Sequence, residues 1–251
     1  MGHSVRYLIL SDIHSNLTAL DAALAAASGR WDESVCLGDI VGYGPDPNEV
    51  IERIQSIHAA TIRGNHDKAV CGLIDSEDFN PLAQSAVLWT RAHLKLDNLA
   101  YIRNLPKGPV EVGGFTIFHG AFHDEDEYVF SPELALDGLL TAPTPVSFFG
   151  HTHNQGGFSL REGMVSVLNY KPPEHRQNSL LHLESGTAYL LNPGSVGQAR
   201  DGDPRAAFAI ANLQENKVEF CRVPYDIEAV QERMLAAVLP EPLALRLSFG
   251  R

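Results

Sequence analysis

The chain has 251 residues, 44% of them hydrophobic, and a formal net charge of −12 with histidine counted as neutral. This length and composition predict a packed globular protein and exclude a disordered chain. The acidic balance argues against binding of nucleic-acid polymers, because the surface repels their phosphates. Bound cations would still allow a small anionic substrate, since they reverse the charge locally.

Cysteine usage and hydropathy indicate the cellular compartment of the protein. Three widely spaced cysteines suit neither a disulfide framework nor a cysteine-type zinc site. No apolar run reaches the roughly 18 residues that cross a bilayer, and the N-terminal apolar run stops at Asp12 without a signal-peptide pattern. We therefore expect a cytoplasmic protein without membrane association. The sequence leaves open whether the chain forms a homo-oligomer.

The first part of the chain alternates apolar strands with amphipathic helices. Leu17 and Leu20 begin a stripe at helical spacing. Asp46 and Pro47, followed by Glu49, predict a second helix that starts with a capping box. Strand, helix, strand, helix, strand in this order predicts a parallel sheet with right-handed crossovers. The predicted strands span residues 6–10, 34–37 and 59–62.

Residues 68–106 interrupt this alternation and predict a helical insertion near the mouth of a site. Within it, Asn80 and Pro81 start a helix that continues to about Leu96. The following segments predict a hairpin that turns at Gly113-Gly114, a helix that begins at Ser131-Pro132, and a strand at 146–149.

Short segments of alternating hydrophobicity follow and predict a second, mostly antiparallel sheet that packs on the first. They span residues 157–160, 164–168, 180–183, 188–191, 206–212 and 218–223. Asp226 predicts the cap of a late helix. Since the chain shows neither a repeat nor a long linker, we expect residues 1–251 to form a single α/β domain, an α+β sandwich of two face-to-face sheets.

Metal-capable side chains follow five of the predicted strands where each strand ends, which is the edge at which open α/β sheets bind ligands. Each segment alone is explained as well by a helix cap or a turn. Five such coincidences in one chain are much less expected, so we predict that all five meet at one edge of one sheet. The segments are Asp12-Ile13-His14, Gly38-Asp39, Gly64-Asn65-His66-Asp67, His119-Gly120 and Gly150-His151-Thr152-His153.

The number and chemistry of these groups predict two metal ions. Seven groups are too many for one ion and suit two ions that share a bridging carboxylate. A mixture of carboxylate, amide and imidazole suits Mn, Fe, Zn or Ni and does not suit a dedicated Ca or Mg cage. The seven are Asp12, His14, Asp39, Asn65, His119, His151 and His153.

The order of these five segments, within residues 8–153, resembles the calcineurin-like metallophosphoesterase superfamily. The later segment Asn192-Pro193-Gly194-Ser195 resembles a loop of its small bacterial and archaeal phosphodiesterase branch. The resemblance implies a four-layer fold in which two mixed sheets lie between helices, with a dinuclear metal site at the sheet edge.

The resemblance also implies a role for each group. Asp12, His14 and His153 would hold the first ion, and Asn65, His119 and His151 the second. Asp39 would bridge the two ions, with Mn the expected metal. A bridging hydroxide would attack phosphorus, and His66 would protonate the leaving oxygen or stabilise the transition state.

One departure from the superfamily narrows the substrate. Its protein Ser/Thr phosphatases follow the Gly-Asp segment with an Asp-Arg pair, whereas residues 40–44 here are Ile-Val-Gly-Tyr-Gly. The departure favours a small phosphodiester, or a nucleotide such as a dinucleoside polyphosphate, over a phosphoprotein. Alternatives are a phosphomonoesterase, a non-catalytic metal-binding scaffold and a metal sensor. The predicted substrate contacts are Tyr43, His123, Asn192, Arg200 and Arg205.

Overall fold

The computed structural model describes residues 4–77 and 79–251 of the chain, and its strands form two six-stranded sheets. The first sheet has the order β3 (Ala60–Thr61), β2 (Glu33–Cys36), β1 (Tyr7–Leu10), β11 (Ala206–Asn212), β12 (Lys217–Val223) and β9 (Asn178–His182). The second has the order β4 (Val110–Val112), β5 (Phe115–Ile117), β6 (Val146–Phe148), β10 (Ala188–Asn192), β7 (Gly156–Arg161) and β8 (Met164–Leu168).

The helices cover the outer faces of the two sheets. One core layer joins α1 (Leu17–Ala27) and α2 (Pro47–Ser56) to the first sheet, and another joins α6 (Pro132–Thr141) to the second. A third core lies between the sheets and includes Ile9 and Phe220 from one, and Phe115 and Phe148 from the other. The predicted sandwich of two mixed sheets between helices is confirmed. The helices are α1 (Leu17–Ala27), α2 (Pro47–Ser56), α3 (Asn65–Val70), α4 (Pro81–His93), α5 (Leu96–Arg103), α6 (Pro132–Thr141), α7 (Ile227–Ala236) and α8 (Glu241–Leu245).

Each sheet has a parallel half. In the first, β1 pairs in parallel with β2, and β2 with β3. In the second, β5 pairs in parallel with β6, and β6 with β10. The carboxyl ends of these parallel strands carry the predicted ligand segments, so the topology places those segments at one end of the sandwich.

The late strands do not form a sheet of their own, so that part of the prediction is wrong. β11 pairs with β1, and β12 and β9 extend that first sheet, whereas β7, β8 and β10 join β4, β5 and β6. Local alternation identifies a strand but not its partner, which depends on contacts distant in sequence. The small buried side chains of Ala207, Ala209 and Ala211 let β11 lie in the middle of its sheet, buried on both faces.

Two helix ends in the structure also differ from the predicted ones. Asp46 precedes α2, but its carboxylate does not cap the helix and instead accepts from Arg233 of α7 at 2.9 Å. Arg233 engages both carboxylate oxygens of Asp46, and this two-point pairing takes the side chain away from the helix end. The helix predicted to reach Leu96 ends at His93, because Leu94 is extended, and α5 begins as a separate helix.

Within the segment 68–106, α3 ends at Val70 and the helices α4 and α5 follow, while position 78 lies outside the described residues. Among those residues, no helix has the length and apolar character needed to cross a membrane.

Candidate metal centre

The predicted ligands converge from both sheets, not from one as the strand pattern suggested. Asp12 and His14 follow β1, Asp39 follows β2, and Asn65 begins α3 just after β3. His119 follows β5, and the pair His151 and His153 follows β6 in the second sheet. The site therefore lies where the carboxyl ends of the two parallel halves meet. The expectation of a single sheet edge is wrong because β5 and β6 do not pair with β1 to β3.

Five of these ligands adopt a left-handed backbone conformation that residues other than glycine rarely adopt. Such a residue costs about 1–3 kcal/mol unless its surroundings compensate for the strain. Backbone hydrogen bonds between the loops, such as His14 N to Asp39 O at 3.0 Å, hold the conformation. Clustered strain of this kind is typical of functional sites. The φ angles are 52° at Asp12, 48° at His14, 52° at Asp39, 64° at His151 and 59° at His153.

The ligand atoms form two groups that share one carboxylate. Asp12, His14, Asp39 and His153 each offer an atom within 4.8 Å of the others. Asp39, His119 and His151 form a second such group. All the side chains are buried, and Asp39 belongs to both groups. This arrangement is the one expected for two neighbouring cations with a bridging carboxylate.

Hydrogen bonds to backbone carbonyls fix which ring nitrogen of each histidine faces the site. Nδ1 lies 3.1 Å from Val41 O in His14, 2.8 Å from Leu37 O in His119 and 2.5 Å from Gln198 O in His153. A carbonyl only accepts, so each of these Nδ1 atoms carries a proton, and Nε2 is the ring nitrogen left to face the site. His151 has the opposite arrangement, because its Nε2 lies 3.1 Å from Asp126 O and its Nδ1 keeps the lone pair.

These tautomers make the interior of the site a set of acceptors that face one another. Nε2 of His14 lies 3.2 Å from Nε2 of His153, and neither atom carries a proton. Nε2 of His119 lies 3.3 Å from Oδ1 of Asn65 and 3.5 Å from Oδ2 of Asp39, so these two acceptors favour a proton or a cation at this position. Lone pairs at such distances repel unless a cation lies between them. The residues therefore fit metal ions, and the nitrogen and oxygen donors suit first-row transition metals.

Electrostatics supports the same conclusion. Although burial acts in the opposite direction, neighbouring histidines hold the pKa values of Asp12 and Asp39 below their usual range. Burial lowers the pKa of His14 and lowers that of His151 to about 3, so both rings are neutral at neutral pH. Against the effect of burial, the carboxylates of Asp39 and Asp12 raise the pKa of His119 to about 9. The buried carboxylates thus demand positive charge, which a proton or a metal ion can supply.

Asp39 is held in place by the segment that contains His66. Its Oδ1 accepts from His66 N at 2.9 Å, while Oδ2 lies 3.6 Å from Nε2 of His14 and 3.5 Å from Nε2 of His119. Gly64 is required there because a Cβ atom would collide with the Asp39 carboxylate. Asp67 accepts from Val41 N at 3.2 Å and Gly64 N at 3.0 Å, and so joins the two loops.

His66 is held by packing and has no acid to orient it. Its ring lies 4.4 Å from that of Tyr43, 4.9 Å from that of His14 and 5.0 Å from that of Phe79. Nδ1 is buried without a hydrogen-bond partner among the described residues and faces Gly42. Burial lowers the pKa of His66 to about 4, so the ring is neutral at neutral pH.

The loop 192–195 joins the ligand segments of the two sheets. Asn192 donates to Gly150 O at 2.9 Å and to Thr152 Oγ1 at 3.0 Å, next to His151. Ser195 donates to Asp12 O at 2.7 Å. The loop therefore orients ligands, and the side chain of Asn192 has no donor left for a substrate.

A cavity of about 410 Å³ opens beside the ligand groups. Its lining combines polar groups of the site with aromatic side chains, and residues of the predicted insertion contribute to it. The lining includes Tyr43, Asn65, His66, Phe79, Tyr128 and His151.

The structure brings only some of the predicted substrate contacts to this cavity. Tyr43 lines it, and Arg200 lies 3.4 Å from the Tyr43 hydroxyl. His123 is exposed and lies 3.5 Å from Asp137. Arg205 pairs with Asp203 at 2.6 Å and donates to carbonyl oxygens of the 172–176 loop. His123, Asn192 and Arg205 therefore make their contacts outside the cavity.

Several residues that support the site gave no signal in the sequence. The Asp126 carbonyl binds His151, and the Tyr128 ring stacks on His151 with 3.7 Å between centroids. Lys68 pairs with the Asp126 side chain at 2.6 Å, and the Arg246 guanidinium lies 4.4 Å from the centre of the Tyr43 ring. The run of acids at 124–127 is a visible feature of the sequence, but it also suits a solvated loop.

Comparisons with known proteins agree with this geometry. The sequence model of the calcineurin-like phosphoesterase superfamily domain matches residues 5–216. An uncharacterized protein of Methanocaldococcus jannaschii is 37% identical over 255 residues, and the match covers 97% of each chain. The crystal structure of a metallophosphoesterase from Sphaerobacter thermophilus is 38% identical, with a TM-score of 0.84 over 99% of this chain and 100% of that one. A hypothetical protein of Pyrococcus horikoshii OT3 shares the fold at 20% identity, with a TM-score of 0.77 over 98% of this chain and 99% of that one. The chain therefore belongs to the calcineurin-like phosphoesterase superfamily and is a hydrolase of phosphoric esters.

Proposed function

We propose that the protein hydrolyses small phosphodiesters or nucleotides at a dinuclear metal centre. The observation that carries the proposal is the position of Asp39, whose carboxylate belongs to both groups of ligand atoms. In this assignment Asp12, His14 and His153 hold one ion, and Asn65, His119 and His151 hold the other. Manganese is the metal we expect, with iron, zinc and nickel as alternatives that the same donors suit.

Two divalent ions, when bound, supply positive charge on both sides of an in-line displacement and a water molecule of lowered pKa as the nucleophile. The protein supplies the rest. Backbone carbonyls fix the ring orientation of the four histidines, so the rings need no reorientation when the site is loaded. The buried setting of the side chains strengthens the charge interactions in the site.

His66 is the proposed catalytic side chain outside the ligand set. Because its pKa is lowered to about 4, it meets the substrate as a neutral ring. Nδ1 is buried beside Gly42 without a partner among the described residues, so we assign the proton to Nε2. We therefore assign His66 to donate a hydrogen bond to the oxygen on which charge develops. Of the two roles that the resemblance implied for His66, this assignment selects stabilisation of the transition state over protonation of the leaving oxygen.

The surroundings of the cavity support a small substrate. Its volume of about 410 Å³ suits a nucleotide-sized molecule better than a folded phosphoprotein. The arginine of the Asp-Arg pair is absent after the Gly-Asp segment. Arg200 lies beside Tyr43 at the border of the cavity and would supply the positive charge instead. The aromatic rings of Phe79 and Tyr128 suit an aryl or base group on the ester.

The test uses metal-stripped protein reconstituted with Mn, Fe, Zn or Ni. We expect hydrolysis of bis(p-nitrophenyl) phosphate with a higher kcat/KM than that of p-nitrophenyl phosphate, and activity on nucleotide diesters. A preference for the monoester would support the phosphomonoesterase alternative. A protein that binds metal but turns over none of these esters would be a scaffold or a metal sensor, and the proposal would be wrong.

A further inference from the structure

Two arginines contact the ring of Tyr43 at the border of the candidate site. The guanidinium carbon of Arg246 lies 4.4 Å from the ring centroid, and that of Arg200 lies 5.9 Å from it. The Tyr43 ring lies 4.4 Å from that of His66, and both residues line the cavity. Arg246 comes from the 3-10 turn Arg246–Phe249 that follows α8, far from the ligand segments in sequence.

Arg246 has hydrogen-bond donors that the described residues do not use. Its Nε and Nη2 atoms are buried and have no partner among those residues. A buried donor without a partner is costly, and more so when it belongs to a charged group. By contrast, Arg233 on the neighbouring helix α7 donates to Asp46 at 2.9 Å and to Thr18 at 2.8 Å. The unused donors of Arg246 therefore suit an anionic ligand.

The positive charges of Arg200 and Arg246 also favour an anionic ligand. Neither Arg200 nor Arg246 forms an ion pair with a carboxylate in the described part of the chain. Burial lowers the pKa of Arg246, and the positive charge of Arg200 also lowers it, while Tyr43 acts in the opposite direction and raises it. Two like charges that share one aromatic ring repel each other, and an anion bound between them removes that repulsion.

We infer that Arg246, Arg200 and Tyr43 form a subsite for a second phosphoryl group of the substrate, next to the one that His66 faces. Guanidinium groups bind phosphate oxygens in pairs of hydrogen bonds, which suits a subsite with two of them. The inference rests on the proposed function and deepens it. It assigns the substrate class as nucleotides with a phosphoanhydride chain, such as dinucleoside polyphosphates, in preference to diesters with a single phosphate.

The decisive measurement is direct binding to the Mn-loaded protein by calorimetry, which needs no turnover. Methylenediphosphonate has two phosphoryl groups, and methylphosphonate has one. We expect R246Q to weaken binding of the diphosphonate by about tenfold or more, with a smaller effect on the monophosphonate. The matched control R233Q removes an arginine that already has a carboxylate partner and should leave the ratio of the two dissociation constants as in the wild type. An unchanged ratio in R246Q would overturn the subsite.

A second variant keeps the test decisive if R246Q does not fold. R246K retains the charge but loses the fork of donors, and it should bind the diphosphonate less tightly than wild type and more tightly than a folded R246Q. A wild-type preference in R246K would contradict the assignment. In turnover, R246Q should raise KM for diadenosine tetraphosphate more than KM for bis(p-nitrophenyl) phosphate. If the wild type hydrolyses neither, the proposed function fails, whereas the binding ratio still decides the subsite.

Discussion

The backbone amide of His66 donates to Oδ1 of Asp39 at 2.9 Å, and this bond joins the proposed catalytic residue to the carboxylate that both ligand groups share. It leaves Oδ2 of Asp39 between Nε2 of His14 and Nε2 of His119. The amide is independent of the His66 side chain, so substitutions can separate metal binding from catalysis.

Asp39→Ala should remove the carboxylate common to the two groups. Residues that only orient metal ligands contribute up to about 100-fold in metal affinity. Because Asp39 would bind the metal directly, we expect a larger loss of affinity, and phosphodiester hydrolysis should be lost with it. Metal content by mass spectrometry and hydrolysis of bis(p-nitrophenyl) phosphate measure both effects. The matched control is Asp137→Asn, which alters an exposed carboxylate near His123. Two tightly bound ions in Asp39→Ala would refute the bridging role.

His66→Ala should lower kcat by about 10²–10³-fold, the range typical of the loss of one hydrogen-bond donor to the charge that develops in the transition state. Metal content should match that of the wild type, because the backbone amide that holds Asp39 remains. Activity and metal content are measured on the same preparation. Metal loss in proportion to activity would show that His66 acts on the ligands and not on the substrate.

Gly42→Ala tests the position of His66 without altering its chemistry. A Cβ atom at residue 42 would lie 2.6 Å from Nδ1 of His66, at a backbone φ of 94°. We expect the ring to be displaced and kcat to fall towards that of His66→Ala. Gly186→Ala is the control, since its φ of 77° imposes a similar backbone strain with no atom within 4 Å of the new Cβ. Equal losses of activity in both variants would attribute the effect to strain alone.

The candidate ligand segments could be located from the sequence because each of them follows a strand within a few residues. Asp12 and His14, or His151 and His153, are close in sequence, so a local pattern contains their chemistry. The fold of two sheets between helices could likewise be predicted from the order of the segments.

The partners of strands and side chains could not be predicted in this way. β11 pairs with β1 across nearly the whole chain, and nothing in either segment specifies the other. Arg246 reaches Tyr43 only because the C-terminal helices pack against the loop after β2. Lys68 and Asp126 meet for a similar reason. Such contacts depend on tertiary packing, which hydrophobic periodicity does not encode.

Lys68→Met should destabilise the protein and disturb the second ligand group. Lys68 is 4% exposed and bonds to Glu125 at 3.0 Å and to Asp126 at 2.6 Å, while the Asp126 carbonyl orients His151. Breaking a buried pair costs about 3–5 kcal/mol, and the half-exposed Asp126 places the expected loss at or below about 3 kcal/mol. Chemical denaturation measures that loss.

The measurement specific to Lys68 is the metal affinity of the second ligand group, which contains His151 and should bind its ion less tightly in Lys68→Met. Lys95→Met, which removes an exposed ion pair with Glu52, is the control and should change stability by less than about 1 kcal/mol. Loss of stability with unchanged affinity for both ions would limit Lys68 to a structural role.

The metal-free protein should lose stability as the pH rises from 6.5 to 9. The carboxylates of Asp39 and Asp12, acting against burial, raise the pKa of His119 from 6.5 to about 9, so folding favours its protonated form. This contribution is fully present below pH 6.5 and is lost as the pH rises through about 9. Metal binding needs the same nitrogen and displaces that proton, so Mn affinity should rise with pH over this window by up to about tenfold per unit. Thermal unfolding and calorimetry of the wild type and of His119→Gln separate this effect from other groups that titrate near pH 9. A wild type and a His119→Gln variant with parallel pH profiles would show that His119 carries no such proton.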